Sequence, residues 1–191
     1  MAVLAFAVAL MPWLMRLRLE YDPAVPAAWF ESCFGGGSTA SELLEWEGAG
    51  EARPELADQG SSLRYECEWT WRAEGGGGQR LSVTIDVDGD RAYGEFDPSI
   101  EEGLGLGSED WYADAEKLDG WEHGLCRQVD TDLDTSRYEC IASESNLRLT
   151  IESRDIPGGN GFDDKHFGPG GVSVEDLTVE LGALVRSAFR D

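Results

Sequence analysis

From Leu63 to Trp71 the chain alternates without a break. Leu63, Tyr65, Cys67, Trp69 and Trp71 fall on one side, and Arg64, Glu66, Glu68 and Thr70 on the other. A period of two over this length predicts a half-buried strand. The glycine-rich stretch 73–79 reads as a turn, and 80–96 as strand, Asp88-Gly89 turn and strand. The alternation returns over 123–129 and 136–143, and most plainly over 146–153. In 173–190 the period changes to that of a helix. Val174, Leu177, Leu181, Leu184, Val185 and Ala188 make an apolar stripe, with Ser173 and Asp176 at capping-box spacing. Two further helices are expected: one from Thr39, with Glu42 three residues on and Gly48 and Gly50 as its stop, and one near 108–118. The stretch 156–171 holds six glycines and reads as a long loop.

Strands joined mainly by hairpins rather than by helical crossovers predict an α+β fold with antiparallel sheet. The tetrapeptide Arg-Tyr-Glu-Cys occurs twice, at 64–67 and at 137–140, each copy preceded by another cysteine and followed by an alternating strand. That repetition predicts two similar small halves of antiparallel strands with short helices, 33–100 and 101–191, each stapled by a disulfide. Duplication favours Cys33–Cys67 and Cys126–Cys140, although four cysteines alone also allow the two other pairings. Tyr65 and Cys67 share a strand face, as do Tyr138 and Cys140, so the repeated letters describe a disulfide-bearing strand with one wet side.

The beginning of the chain has a different texture. Residues 1–15 are uninterruptedly apolar and are followed by Arg16 and Arg18. As a helix, fifteen residues span about 22 Å, short of a ~30 Å hydrocarbon core. No basic stretch precedes the run, as it would in a signal peptide. We read 1–19 as an N-terminal hydrophobic helix acting as a membrane anchor or signal-like segment, and 20–32, with Pro23 and Pro26, as a linker. The expected location is the cell membrane, single-pass with the domain outside, and secretion is the alternative. An even cysteine count suits an oxidising compartment.

Charge narrows the partners. The chain holds 38 Asp+Glu against 15 Lys+Arg, a net −23, and the residues after Tyr21 carry −24. Such a field repels a phosphate backbone, so nucleic acid is not an expected partner. The expected partners are a protein or a cell-envelope component, with the membrane reached through the N-terminal segment. Arginines outnumber lysines thirteen to two.

Several chemistries can be weighed. Asp-x-Asp-x-Asp occurs at 86–90 and 130–134, but the sixth position of a calcium loop, where glycine belongs, is Arg91 in one and Thr135 in the other. His123 and His166 beside disulfide-committed cysteines leave too few ligands for zinc. No nucleophile-elbow motif is present in the sequence. We therefore assign no catalytic residue, no metal and no cofactor. The candidates for ligand contact are the aromatic side chains Tyr65, Trp69 and Trp71, which can stack on sugar rings, and the loop residues Asp163, Asp164 and His166. Cys67 and Leu63 share the aromatic face, and this makes core the stronger reading of it.

The short apolar anchor, the stretch DPAVPAAWFESC (22–33), LRYECEWTWR (63–72), and the later Cys126, RYEC and NLRLTI (146–151) together resemble small exported domains of actinobacteria, of the streptomycete membrane-anchored or lipoprotein type. The lipobox of such lipoproteins is absent before Cys33. The resemblance implies location and general architecture and transfers no functional residue. The expected function is an extracytoplasmic, membrane-anchored, non-catalytic binding or sensing domain. The alternatives are a cell-envelope hydrolase and an acidic neutralising partner of a basic protein.

Overall fold

The computed structural model describes residues 20–24, 26, 29, 33–35, 53–58, 62–72, 76–89, 115–130, 136–156, 165–168 and 170–190, with 53–58 as backbone. The predicted hydrophobic helix at 1–19, the helix from Thr39, the strand after Gly89, and Asp163 and Asp164 lie outside these residues. Among the described residues, no helix is long and apolar enough to cross a membrane.

Alternation in the sequence becomes one seven-stranded antiparallel sheet. Its strands are β1 (Arg53–Asp58), β2 (Ser62–Arg72), β3 (Gly78–Asp88), β4 (Glu116–Lys117), β5 (His123–Asp130), β6 (Ser136–Glu144) and β7 (Leu147–Ile156). They lie in the order β1-β2-β3-β7-β6-β5-β4. A two-stranded hairpin, β8 (His166–Phe167) with β9 (Val172–Ser173), leads into helix α1 (Val174–Phe189). The architecture is α+β, mostly antiparallel strand with a C-terminal helix and two disulfides.

Strands from the two segments 33–100 and 101–191 share this sheet, joined where β3 pairs with β7. One lateral row crosses it through Cys67, Val83, Ile151, Cys140 and Cys126. The row reads the same outward from its middle: Val83 and Ile151 oppose each other, and each has the cysteine of an Arg-Tyr-Glu-Cys copy on its outer side. The two copies thus occupy corresponding strands, β2 and β6, one step out from the seam.

Both expected disulfides form, but in different ways. Cys126 and Cys140 face each other across β5 and β6, with Cα atoms 4.1 Å apart. Cys33 instead reaches Cys67 from a 3-10 turn, Cys33–Gly35, that lies against the sheet. The upstream cysteines therefore hold different structural places.

Side chains of odd number on β2, β3 and β7 and of even number on β6 point to the core. Tyr65, Cys67, Trp69, Leu81, Val83, Ile85, Leu147, Leu149, Ile151 and Cys140 are all buried there. Helix α1 covers them with Val174, Leu177, Leu181 and Val185 of the expected stripe and with Phe189 beside it, while Leu184 and Ala188 of that stripe are partly buried against the core. The Ser173 side chain accepts from the Asp176 N–H, as its spacing predicted. Gly182 is the point of closest approach, since a Cβ there would collide with the Trp121 ring.

Two regions differ from expectation. Tyr21 and Trp29, within the expected linker, are buried in the core. The Asn146 side chain accepts from the Tyr21 N–H and donates to the carbonyls of Tyr21 and Asp88, and the Asp22 N–H donates to the Phe189 carbonyl. Around Glu116, where the helix near 108–118 was expected to end, the chain is strand. Lys117 pairs with Leu125, the Leu118 N–H donates to Gly124, and Leu118 is buried. Pairing along the sheet edge overrides helical propensity there.

Candidate binding face

Because side chains alternate, the strands that fill the core with one set of residues present the other set on the opposite face. Reading across β2, β3, β7, β6 and β5, that face consists of four lateral rows, each about 7 Å from the next. The first is Thr70, Arg80, Arg154, Arg137 and Val129. The second is Glu68, Ser82, Glu152, Glu139 and Arg127. The third is Glu66, Thr84, Thr150, Ile141 and Leu125. The fourth is Arg64, Asp86, Arg148, Ser143 and His123.

These rows hold six of the thirteen arginines of a chain whose net charge is −23, opposed by five carboxylates. A concavity of about 510 Å³ lies over them. Its floor is Thr84, Thr150 and Ile141, with Arg64, Asp86 and Arg148 toward one end and Glu152, Arg137 and Arg154 toward the other.

The charges are arranged in pairs. Toward β5, Arg127 and Glu139 form a buried pair in which Nε and an Nη of the guanidinium both donate to one carboxylate oxygen, at 3.3 and 3.1 Å. Glu152 serves two arginines, Arg137 at 3.4 Å and Arg154 at 3.9 Å. Glu68 lies 3.4 Å from Arg80. Glu66 lies 3.9 Å from Arg64 and also accepts from the Ser82 hydroxyl. Burial pushes the Asp86 carboxyl above its ordinary range, Arg64 and Arg148 pull it back, and Glu66 adds to the rise. Among the described residues no group of His, Cys, Asp and Glu is arranged to hold a metal ion.

The contact residues expected from sequence lie elsewhere. Tyr65 and Trp69 are only 1% and 2% exposed. The Tyr65 hydroxyl donates to the Trp29 carbonyl, and the Trp69 ring stacks on Phe34 with centroids 5.9 Å apart. Neither ring has a free face on which a ligand could stack, which corrects that expectation in favour of the core. Trp71 is half-buried and packs on the same cluster. His166 is exposed at the start of β8, on the helix side of the sheet. There the buried Gln79 side chain donates to the His166 carbonyl and accepts from the Gly168 N–H. All four cysteines are committed to disulfides.

The polar face was missed because each strand contributes only an ordinary wet side. The signal lay in register. Arg80, Arg137 and Arg154 are far apart in sequence and become neighbours only through the β3–β7 and β6–β7 pairings. No protein-family model, no curated protein and no solved structure matches the chain.

Proposed function

We propose that this chain is a non-catalytic binding module outside the cytoplasm, anchored to the membrane through 1–19, and that its contact surface is the polar face of the sheet. The partner is a protein or cell-envelope component. The observation that carries the reading is the concavity lined by guanidiniums and carboxylates on paired strands. Side chains mounted on a sheet are held more rigidly than on loops, and this favours recognition. Two buried disulfides support an oxidising compartment. The apolar run 1–15 supports the anchor.

The competing reading is a hydrolase of envelope material. Asp86 favours it, as a carboxyl in a concavity whose proton affinity is raised by burial. One experiment separates the two. The full chain is sedimented with purified cell-wall sacculi, beside Thr150→Tyr, which fills the floor of the concavity. The binding reading expects the native chain in the pellet, Thr150→Tyr in the supernatant, and no soluble wall fragments. Release of fragments by the native chain selects the hydrolase. Equal sedimentation of both chains removes the polar face from the function.

A further inference from the structure

We infer that the row Arg80–Arg154–Arg137 is a binding site for phosphate-class anions, an inference that rests on the polar face being the contact surface. The three residues stand directly opposite one another on β3, β7 and β6. Neighbouring strands lie about 4.8 Å apart, so the three guanidinium stems span roughly 10 Å in a line. Like charges directly opposite each other destabilise a sheet unless something neutralises them.

The protein neutralises this row only in part. Glu68 and Glu152 are the carboxylates within ion-pair distance among the described residues, two for three guanidiniums. Arg154, in the centre, has the weakest hold. Its contact to Glu152 is 3.9 Å, beyond hydrogen-bond length, and its side chain is the most exposed of the three at 45%. A second observation comes from the donors. The Nε–H of Arg137 is shut away from solvent without an acceptor in hydrogen-bond geometry, while the Nε of Arg80, equally shut away, has only the Glu68 carboxylate at 3.4 Å, outside that geometry. Buried polar groups are normally satisfied, and an unmet donor beside an under-neutralised cation calls for an acceptor.

A tetrahedral oxyanion meets these demands. It brings several acceptor oxygens, and guanidiniums bind phosphate through paired, charge-assisted hydrogen bonds. Arg137 and Arg154 line the concavity at this end, and Arg80 continues the row on β3. The net charge of −23 works against distant attraction. At physiological ionic strength, however, that field is screened over about 8 Å, and the local row decides contact. A line of three cations also suits a repeated anion, so a phosphate polymer should engage more of the row than a single phosphate.

The test is isothermal titration calorimetry of the full chain with inorganic phosphate and, separately, with long-chain polyphosphate, at constant ionic strength. Saturable binding is expected. It should be roughly ten- to hundredfold weaker in Arg154→Gln and in Arg137→Gln, and unchanged in Lys117→Gln on the far edge strand. Tighter binding of polyphosphate per chain identifies a polymeric source, and equal binding per phosphate identifies a single group. No saturable binding, or binding retained in both arginine variants, overturns the inference. If the fold of one variant is disturbed, as read by circular dichroism, the other decides. The titration contains no wall material, so its failure leaves sedimentation with sacculi free to stand, and the reverse also holds.

Discussion

Thr150 and Ile151 are neighbours on β7 that face opposite sides of the sheet. Ile151 lies at 0% exposure, between Val83 and Cys140 in the lateral row that ends at the disulfides. Thr150 forms part of the floor of the concavity, between Thr84 and Ile141. The core face carries most of the fold energy, because burial there is nearly complete and apolar. The polar face is free to carry charge because little of the fold depends on it. The largest expected effect follows. Ile151→Ala should cost about 2–5 kcal/mol in urea unfolding, whereas Thr150→Ala should stay within about 0.5 kcal/mol. Similar losses at the two positions would dissolve the distinction between the faces.

The polar face is not uniform, and its β5 side sharpens the contrast. Arg127 and Glu139 are 4% and 8% exposed, so this charge pair is buried where the other charged residues of the face are half-buried or exposed. Truncating Glu139 removes both guanidinium–carboxylate hydrogen bonds of this pair from a buried site. Glu139→Ala should therefore cost about 3 kcal/mol, close to the loss of a core residue, measured in the same way. A loss below about 1 kcal/mol would place this pair with surface ion pairs.

The smallest effect concerns a polar spot on the core side. The Tyr21 hydroxyl donates to Glu144 at 2.9 Å beside Arg190. Burial, then the hydrogen bond and charge of Glu144, push its pKa from 10.0 up to about 12, against the opposing pull of Arg190. A raised pKa means that the folded state favours the protonated hydroxyl. The stability it contributes is complete below pH 10 and is lost as pH rises through about 12. Unfolding curves across that window should fall more steeply for the native chain than for Tyr21→Phe, which has no hydroxyl to ionise. Parallel curves would show that Tyr21 titrates alike in both states.

Much of the core face was legible because it depends on local pattern. Leu63 to Trp71, the strand over 146–153 and the stripe of 173–190 each sit in the expected element, and Cys33–Cys67 and Cys126–Cys140 pair as the repeated Arg-Tyr-Glu-Cys suggested. What was hidden depends on distance in sequence. The β3–β7 pairing that makes one sheet leaves no local trace in either strand. The anchoring of Tyr21 requires Asn146, 125 residues away. Trp69 was correctly placed on the face of Cys67, but only Phe34 and Trp29 packed above that face show that no room remains for a ligand. The arginine row needed two strand registers at once, and alternation within a single strand supplies neither.

The seam between β3 and β7 also bears on the order in which the chain folds. Its partners, from Val87 with Leu147 to Gly78 with Ile156, lie roughly 60 to 80 residues apart, whereas only a few residues of sequence separate β2 from β3 and β6 from β7. Non-local pairing must meet its loop-closure entropy before contacts reward it, and such pairings form late. Until the seam closes, β3 and β7 are naked edges that carry Leu81, Val83 and Ile85 on one side and Leu147, Leu149 and Ile151 on the other. Open apolar edges of this kind pair readily with the wrong chain. Closing of the β3–β7 seam is therefore a step whose delay leaves apolar edges open to aggregation, and faster meeting of these two strands would shorten that exposure.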